Sequence, residues 1–252
     1  MNLLKSLLFI AFTGLSSSCS KSDPSPATTT MSTTTNTTLP NVFSKKFTSA
    51  VSVYVDGTFI VLKSTAIPNH KSPYFSKTDS RYEAYNGTNT SFAINPNSIL
   101  TQSLTFKIPL NPSESSAKAA TSLGPMGIAL NGVPLFNQFA GPNQPLTGEI
   151  NSFDQYNGHP QQTGQYHYHV EPLYITGTST KSSLIGYLLD GFPVYGPTEN
   201  GKTLSSTDLD TYHGHSAVAE DYPKGIYHYH ITADSPYING GKFFGTSGTV
   251  TQ

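Results

Sequence analysis

A short alternation of tyrosine and histidine occurs twice in this chain and constrains its fold more than any other feature. The two copies are Tyr166–His169 and Tyr227–His230, each with the sequence Tyr-His-Tyr-His. Strict alternation predicts a β-strand, because successive side chains of a strand point to opposite faces of its sheet. The two histidines of each copy then share one face, about 6.6 Å apart. The two tyrosines share the opposite face.

The two copies belong to a longer repeat. Gly127–Phe136 resembles Gly186–Tyr195, and Asp154–His159 resembles Asp210–His215. Together with the tyrosine-histidine strands, three motifs recur in the same order at offsets of 59, 56 and 61 residues. Chance similarity seldom preserves the order of three motifs, so we infer a duplicated unit. We expect a pseudo-two-fold arrangement in which two equivalent strand clusters face one another.

The remaining sequence favours strands over helices. The 15 tyrosines and 14 phenylalanines are residue types that are enriched in strands. Alternating valines in 51–55, followed by Asp56-Gly57, predict a β-hairpin, and Ile99–Leu110 is a further strand candidate. Ser113–Ser122, which contains three alanines, is the only plausible helix. We therefore predict a single, mainly β domain over residues 42–252, with few short helices.

The N-terminus has the features of a secretion signal. Residues 1–18 carry Lys5, the apolar run Leu7–Phe12 and three serines before Cys19. The apolar run is too short to span a bilayer permanently. Small residues that end at the only cysteine resemble a bacterial lipobox, so we expect Cys19 to be lipidated. An ordinary cleaved signal with a free cysteine nearby is the alternative.

The predicted lipid would place the protein in the bacterial cell envelope, on the periplasmic or cell-surface side of a membrane. Residues 19–41 are rich in serine, threonine and proline and are expected to act as a disordered, solvated tether. The formal net charge of −1 gives no basic surface for nucleic acid. A single cysteine excludes an intramolecular disulfide framework and a thiolate-rich metal site.

The histidines are the main functional candidates. In each repeat a Gly-His pair precedes the His-Tyr-His strand. Two histidines on one strand, together with a third histidine or a carboxylate from a flanking loop, are a common way to build a metal site. Nitrogen and oxygen ligands without thiolates suit a divalent metal such as copper or zinc. The candidate ligands are His159, His167, His169, His215, His228 and His230. The sequence does not decide whether they form one shared site or two. Additional ligands, or partners that orient an imidazole, are His70, Asp154, Asp190, Asp210 and His213.

Three other roles fit the same residues. A histidine beside an aspartate can transfer protons, so a hydrolase-type enzyme with or without metal is one alternative. A structural network, in which buried imidazoles and tyrosine hydroxyls satisfy one another, is the second. A ligand- or carbohydrate-binding surface module, suggested by the many tyrosines and the tether, is the third. No Gly-x-Ser-x-Gly elbow and no glycine-rich phosphate loop occurs in the sequence.

The chain resembles the YHYH domain family over residues 45–248. The motifs that carry the resemblance are Ile67–His70, Leu130–Pro134, Asp190–Pro197, the two Gly-His pairs and both tyrosine-histidine strands. The resemblance implies an extracytoplasmic, β-rich domain and little about its chemistry. Family members often carry a cysteine where this chain has Tyr156 or Asn157, so a bridge that depends on that cysteine is not expected here.

Overall fold

The structure, a computed structural model, describes residues 38–252. The predicted signal peptide, Cys19 and most of the predicted tether therefore lie outside the described residues. The described residues belong to one compact unit, and packing against its core begins at Leu39. Within residues 38–252, no helix combines the length and the apolar character needed to cross a membrane.

The prediction of a mainly β fold with few short helices is confirmed. Among the described residues the α-helices are α1 (Asn41–Lys46) and α2 (Leu173–Thr178), and the 3-10 helices are η1 (Glu149–Ser152) and η2 (Ser206–Asp208). The strands are β1 (Val51–Asp56), β2 (Phe59–Ser64), β3 (Leu104–Pro109), β4 (Gly127–Ala129), β5 (Pro134–Leu135), β6 (Phe139–Ala140), β7 (Gln144–Pro145), β8 (Gly158–Pro160), β9 (Tyr166–Tyr168), β10 (Leu184–Leu188), β11 (Pro193–Tyr195), β12 (Thr198–Glu199), β13 (Lys202–Thr203), β14 (Gly214–Ala219), β15 (Tyr222–His230) and β16 (Thr249–Thr251).

A four-stranded antiparallel sheet in the order β1-β2-β3-β16 contains the predicted hairpin. Its turn follows Asp56, and Gly57 has a positive φ of 60°, which glycine adopts without steric strain. The third strand lies inside the predicted segment Ile99–Leu110 but begins only at Leu104. Apolar side chains of β2 and β3, including Leu62 and Phe106, are fully buried in the core.

The prediction of a helix over Ser113–Ser122 is wrong. The segment is extended, and its backbone pairs with the C-terminal part of the chain through the bridges Glu114–Gly245 and Ala120–Lys242. A short alanine-containing stretch gains little from helix formation, because nucleating a helix is unfavourable and most helical stability comes from packing. Hydrogen bonds to a distant segment therefore decide its conformation.

The second sheet has eight strands in the order β14-β15-β11-β10-β4-β5-β9-β8. The two halves of this sheet contain corresponding strands of the two repeats. From the edge to the centre, β8, β9, β5 and β4 correspond to β14, β15, β11 and β10. The pairing Leu135–Tyr168 recurs as Val194–Tyr229. The antiparallel pairing of each Gly-His strand with its tyrosine-histidine strand also recurs, in the same register. The internal pseudo-two-fold repeat is therefore confirmed at the level of individual residue pairs.

The two strand clusters do not face one another as expected. The halves join side by side, because β4 and β10 hydrogen-bond to each other in antiparallel orientation at the centre of the sheet. Five strand-to-strand steps separate β9 from β15. At about 4.8 Å per step, the two histidine strands are about 24 Å apart. This separation excludes one metal site shared by both.

Candidate metal centres

The histidine face of β8 and β9 forms the first cluster, which consists of Glu149, His159, His167 and His169. His159 on β8 lies opposite His167 on β9, and their Nε2 atoms are 3.1 Å apart. His169 directly follows β9, with its Nε2 atom 3.0 Å from Nε2 of His167. Glu149 on η1 completes the cluster, with Oε1 3.1 Å from Nε2 of His159.

The second cluster consists of Glu199, His215, His228 and His230. His215 on β14 lies opposite His228 on β15, and their Nε2 atoms are 3.1 Å apart. Glu199 on β12 places Oε2 3.3 Å from Nε2 of His215 and Oε1 3.3 Å from Nε2 of His228. Nε2 of His230 is 3.8 Å from Oε1 of Glu199. The three histidines therefore repeat the arrangement of the first cluster.

The spacing of these atoms suits a small metal ion. In each cluster the four ligand atoms all lie within 4.8 Å of one another. Ligands about 2.0–2.1 Å from a tetrahedral metal are about 3.3–3.4 Å apart. The close Nε2 pairs, at 3.0 and 3.1 Å, need shift by only a few tenths of an ångström to reach that spacing. Both clusters could hold a metal ion.

Backbone carbonyls fix the tautomer of the strand histidines. In both clusters the Nδ1 hydrogen of each strand histidine is donated to a carbonyl oxygen, in the pairs His167–Gln165 (3.0 Å), His169–Asn137 (2.6 Å), His228–Ile226 (3.0 Å) and His230–Gly196 (2.9 Å). A carbonyl oxygen only accepts hydrogen bonds, so the hydrogen resides on Nδ1. The Nε2 lone pair of each ring is then directed into its cluster, as a metal ligand requires.

The third histidine of the first cluster, His159, has side chains instead of a carbonyl at Nδ1. Nδ1 of His159 lies 2.8 Å from the Ser152 hydroxyl, which donates to the carbonyl of Glu149, and 3.3 Å from Nδ2 of Asn95, which can only donate. The Nε2 lone pairs that meet without a hydrogen between them are therefore those of His167 and His169, which are 3.0 Å apart. In the second cluster, Nε2 of His230 is buried and has no hydrogen-bond partner among the described residues. Such an unsatisfied group costs about 1–3 kcal/mol, and a cation in the cluster would remove that penalty.

The protonation of the buried rings agrees with a ligand role. Burial lowers the pKa of His169 and of His230 to about 4 each. Burial and then the charge of His159 lower the pKa of His167 well below its ordinary value. These imidazoles are neutral at neutral pH, which is the form that binds metal. Burial raises the pKa of Glu149, but the hydrogen bond to His159 opposes this effect and the net pKa is lowered, so Glu149 is a carboxylate.

The two aspartates predicted beside the histidines lie on the tyrosine face instead. Asp154 accepts hydrogen bonds from Ser72 (2.6 Å) and Tyr166 (2.8 Å). Asp210 accepts one from Tyr227 (3.0 Å). Each aspartate thus holds the first tyrosine of its motif, and neither hydrogen-bonds a histidine of the two clusters.

The other predicted partners also contact tyrosines or threonine. Asp190 accepts a hydrogen bond from Tyr229 (2.7 Å). Nε2 of His70 lies 3.0 Å from the hydroxyl of Tyr168, and Nε2 of His213 lies 2.9 Å from the hydroxyl of Thr232. The structure places these three side chains outside both clusters, where they anchor the strands that carry the ligands.

Sequence reasoning missed both glutamates of the clusters. At the repeat offset of 56 residues, Ser205 corresponds to Glu149, and at the offset of 59 residues, Ala140 corresponds to Glu199. One glutamate lies on a 3-10 helix and the other on a β-hairpin, so a comparison of the repeats could not find them. A search for carboxylates between the first two motifs of each repeat would have found both.

The comparison with known proteins identifies a family. A family model described as YHYH protein matches residues 105–204 and 198–241, which together cover more than half of the chain and both tyrosine-histidine strands. The match covers residues 105–241, which is shorter at both ends than the region 45–248 over which the sequence motifs resemble the family. No curated protein and no solved structure matches the chain. The chain belongs to the YHYH protein family.

Proposed function

We propose that this protein binds two divalent metal ions per chain, one in each cluster. The observation that carries the proposal is the position of the two glutamates. Duplication accounts for three equivalent histidines in each half, but Glu149 and Glu199 come from elements that are not equivalent. Each half of the protein therefore acquired its carboxylate separately. A shared need to bind a cation explains why both clusters contain three histidines and one carboxylate.

Electrostatics favours this function over a purely structural network. A buried network is stable when each acceptor faces a donor. In the first cluster the Nε2 lone pairs of His167 and His169 face each other, and the buried Oε2 of Glu149 has no partner among the described residues. A divalent cation would convert these unfavourable contacts into metal–ligand bonds.

Zinc and copper are the metals that we propose. Three imidazole nitrogens and one carboxylate oxygen, without thiolate, suit Zn²⁺ and Cu²⁺. The spacing of the close Nε2 pairs, at 3.0 and 3.1 Å, is near that of a tetrahedron, which zinc prefers in four-coordinate sites. Copper(II) would need movement toward a tetragonal arrangement.

Metal content tests the proposal directly. The chain with a Cys19→Ser change, which allows isolation without lipid, is reconstituted with zinc or copper, desalted and analysed by elemental mass spectrometry. We expect two metal ions per chain. The variants His167→Ala/His169→Ala and His228→Ala/His230→Ala should each retain one ion, because the clusters are about 24 Å apart.

The control variant is His213→Ala, which removes a buried imidazole outside both clusters and should retain two ions. A wild-type chain that binds neither zinc nor copper would overturn the proposal.

We further propose that the domain is attached to the bacterial cell envelope through a lipid on Cys19. The signal-like residues 1–18 and the tether composition of residues 19–41 support this attachment. Metabolic labelling with a radioactive fatty acid tests it in a bacterial host. Labelling of the wild type but not of Cys19→Ser is expected, and equal labelling of both would contradict the attachment.

A further inference from the structure

We propose that the two metal sites have different roles: the second site is open to external ligands from a neighbouring cleft, whereas aromatic rings enclose the histidines of the first. The inference rests on the proposed metal binding. It assigns the exchange of external ligands, which a reaction at a metal requires, to the second site. Open coordination positions distinguish catalytic metal sites from structural ones.

Aromatic side chains cover the first cluster. The rings of its three histidines are buried, each only 2–3% exposed. Phe136 stacks on His167 at a centroid distance of 4.0 Å. Phe153 lies with its edge against His159, at 4.8 Å, and parallel to His169, at 5.8 Å. A metal ion in this cluster would have apolar rings over its imidazole ligands, and Glu149, whose side chain is 25% exposed, would be its most exposed ligand.

The second cluster lacks one of these aromatic covers. Leu209 occupies the position of Phe153, since both residues follow a 3-10 helix and donate their backbone N–H to the corresponding carbonyl three residues earlier. The side chain of His215 is 31% exposed, compared with 3% for its counterpart His159. Tyr195 replaces Phe136 and meets His228 edge-on, at a centroid distance of 5.2 Å.

A cleft of about 490 Å³ leads to the second cluster. Glu199, His228 and His230 form part of its wall, and of these three ligand residues Glu199 is 20% exposed while the two histidines are buried. Its volume lies within the range of about 300–1,000 Å³ that is typical of sites for small molecules. A ligand in this cleft could approach a metal ion bound by the second cluster without displacing the protein core.

The lining of the cleft indicates the class of ligand. Ser182, Tyr195, Thr198 and Asn200 supply hydroxyl and amide groups, and Glu220 adds a carboxylate. No lysine or arginine occurs among the described residues that line it. Phosphates and carboxylates are usually bound by such cations. We therefore assign to the cleft a small ligand whose hydroxyl or amine groups pair with this lining, while the metal ion itself would compensate any negative charge of the donor atom.

Azide binding to the copper-loaded protein tests the difference between the sites. The reconstituted chain with two Cu²⁺ ions is titrated with azide and followed by the azide-to-copper charge-transfer band and by electron paramagnetic resonance. We expect saturation at one azide per chain and a change in one of two copper signals. The band should persist in His167→Ala/His169→Ala and be lost in His228→Ala/His230→Ala.

The outcomes separate the inference from the proposed function. Two bound copper ions that both respond to azide, or that both fail to respond, would overturn the inference and leave metal binding intact. A chain without bound copper or zinc would overturn both. If the double variants do not fold, the stoichiometry in the wild type decides alone.

A competition experiment tests the class of ligand. Imidazole, a neutral nitrogen donor, should displace azide from the wild-type copper protein at a lower concentration than inorganic phosphate does. The opposite order would overturn the assignment of a ligand with hydroxyl or amine groups.

Discussion

Ile128 and Tyr187 lie opposite each other at the centre of the eight-stranded sheet, and they occupy equivalent positions in the two repeats. On either side, Gly127 pairs with Leu188 and Ala129 pairs with Gly186, as a two-fold axis through the central pair requires. The duplication is thus built into one continuous sheet. This placement sends the two histidine clusters to opposite ends of the sheet, where their surroundings differ.

Replacing the glutamate of one cluster should weaken metal binding in that cluster alone. We expect Glu149→Gln and Glu199→Gln each to lower the affinity of its own site at least about tenfold, because the charged ligand is lost, and to leave the other site unchanged. Competition with a chelator measures both affinities. Glu171→Gln, a glutamate paired with Lys181 away from the clusters, should have no effect. Equal weakening of both sites by either variant would contradict two independent centres.

Phe153→Leu should open the first site. The substitution removes the ring that covers His159 and His169 and installs the residue that the second repeat carries at Leu209. We expect faster release of the metal from the first site to an excess of chelator, with a stoichiometry that stays at two. The reciprocal change Leu209→Phe should slow release from the second site. Unchanged release rates in both variants would show that these residues do not control access.

The two motif tyrosines that bind aspartates should differ in their contribution to stability. Tyr166→Phe deprives the buried Asp154 of a hydrogen bond, and we expect a loss of about 1–3 kcal/mol in the free energy of unfolding. Tyr227→Phe removes the corresponding bond to Asp210, which is exposed and can bind water instead. Its loss should be smaller, and urea denaturation measures both. An equal loss would contradict the role of burial.

Asp190 should make the stability of the protein depend on pH between about 4 and 6. Burial raises its pKa to about 6, although the hydrogen bond from Tyr229 opposes the shift. The folded protein binds the proton of this carboxyl group more tightly than the unfolded chain, whose pKa is 3.8. The resulting stabilisation is complete below pH 3.8 and is lost as the pH rises to about 6. The shift corresponds to about 3 kcal/mol.

The variant Asp190→Asn tests this pH dependence. Asparagine carries no charge and already occupies the equivalent position, at Asn131, where it hydrogen-bonds Tyr168. The stability of the variant relative to wild type should therefore increase from pH 4 to pH 6, as measured by urea denaturation across this range. Asp56→Asn, at the exposed hairpin turn, is the control. A difference that is constant with pH would contradict the prediction.

The sequence determined the features of this protein that depend on local periodicity. Alternation in Tyr166–His169 and Tyr227–His230 sufficed to predict two strands, each with a histidine face and a tyrosine face, because a strand has a period of two residues. The order of the repeated motifs predicted the pseudo-two-fold symmetry. The hairpin at Asp56-Gly57 followed from its turn residues.

Tertiary structure alone decided how these local parts combine. Hydrogen bonds between β4 and β10 set the halves side by side, and bridges to the C-terminal segment kept Ser113–Ser122 extended. Glu149 and Glu199 joined the clusters from two different elements of the repeat, a 3-10 helix in one half and a β-hairpin in the other. Contacts between residues far apart in the chain depend on the path of the backbone and on what else each side chain can pair with. Local periodicity does not specify the path of the backbone. The positions of the two glutamates and the different solvent access of the two sites are therefore evident only in the folded protein.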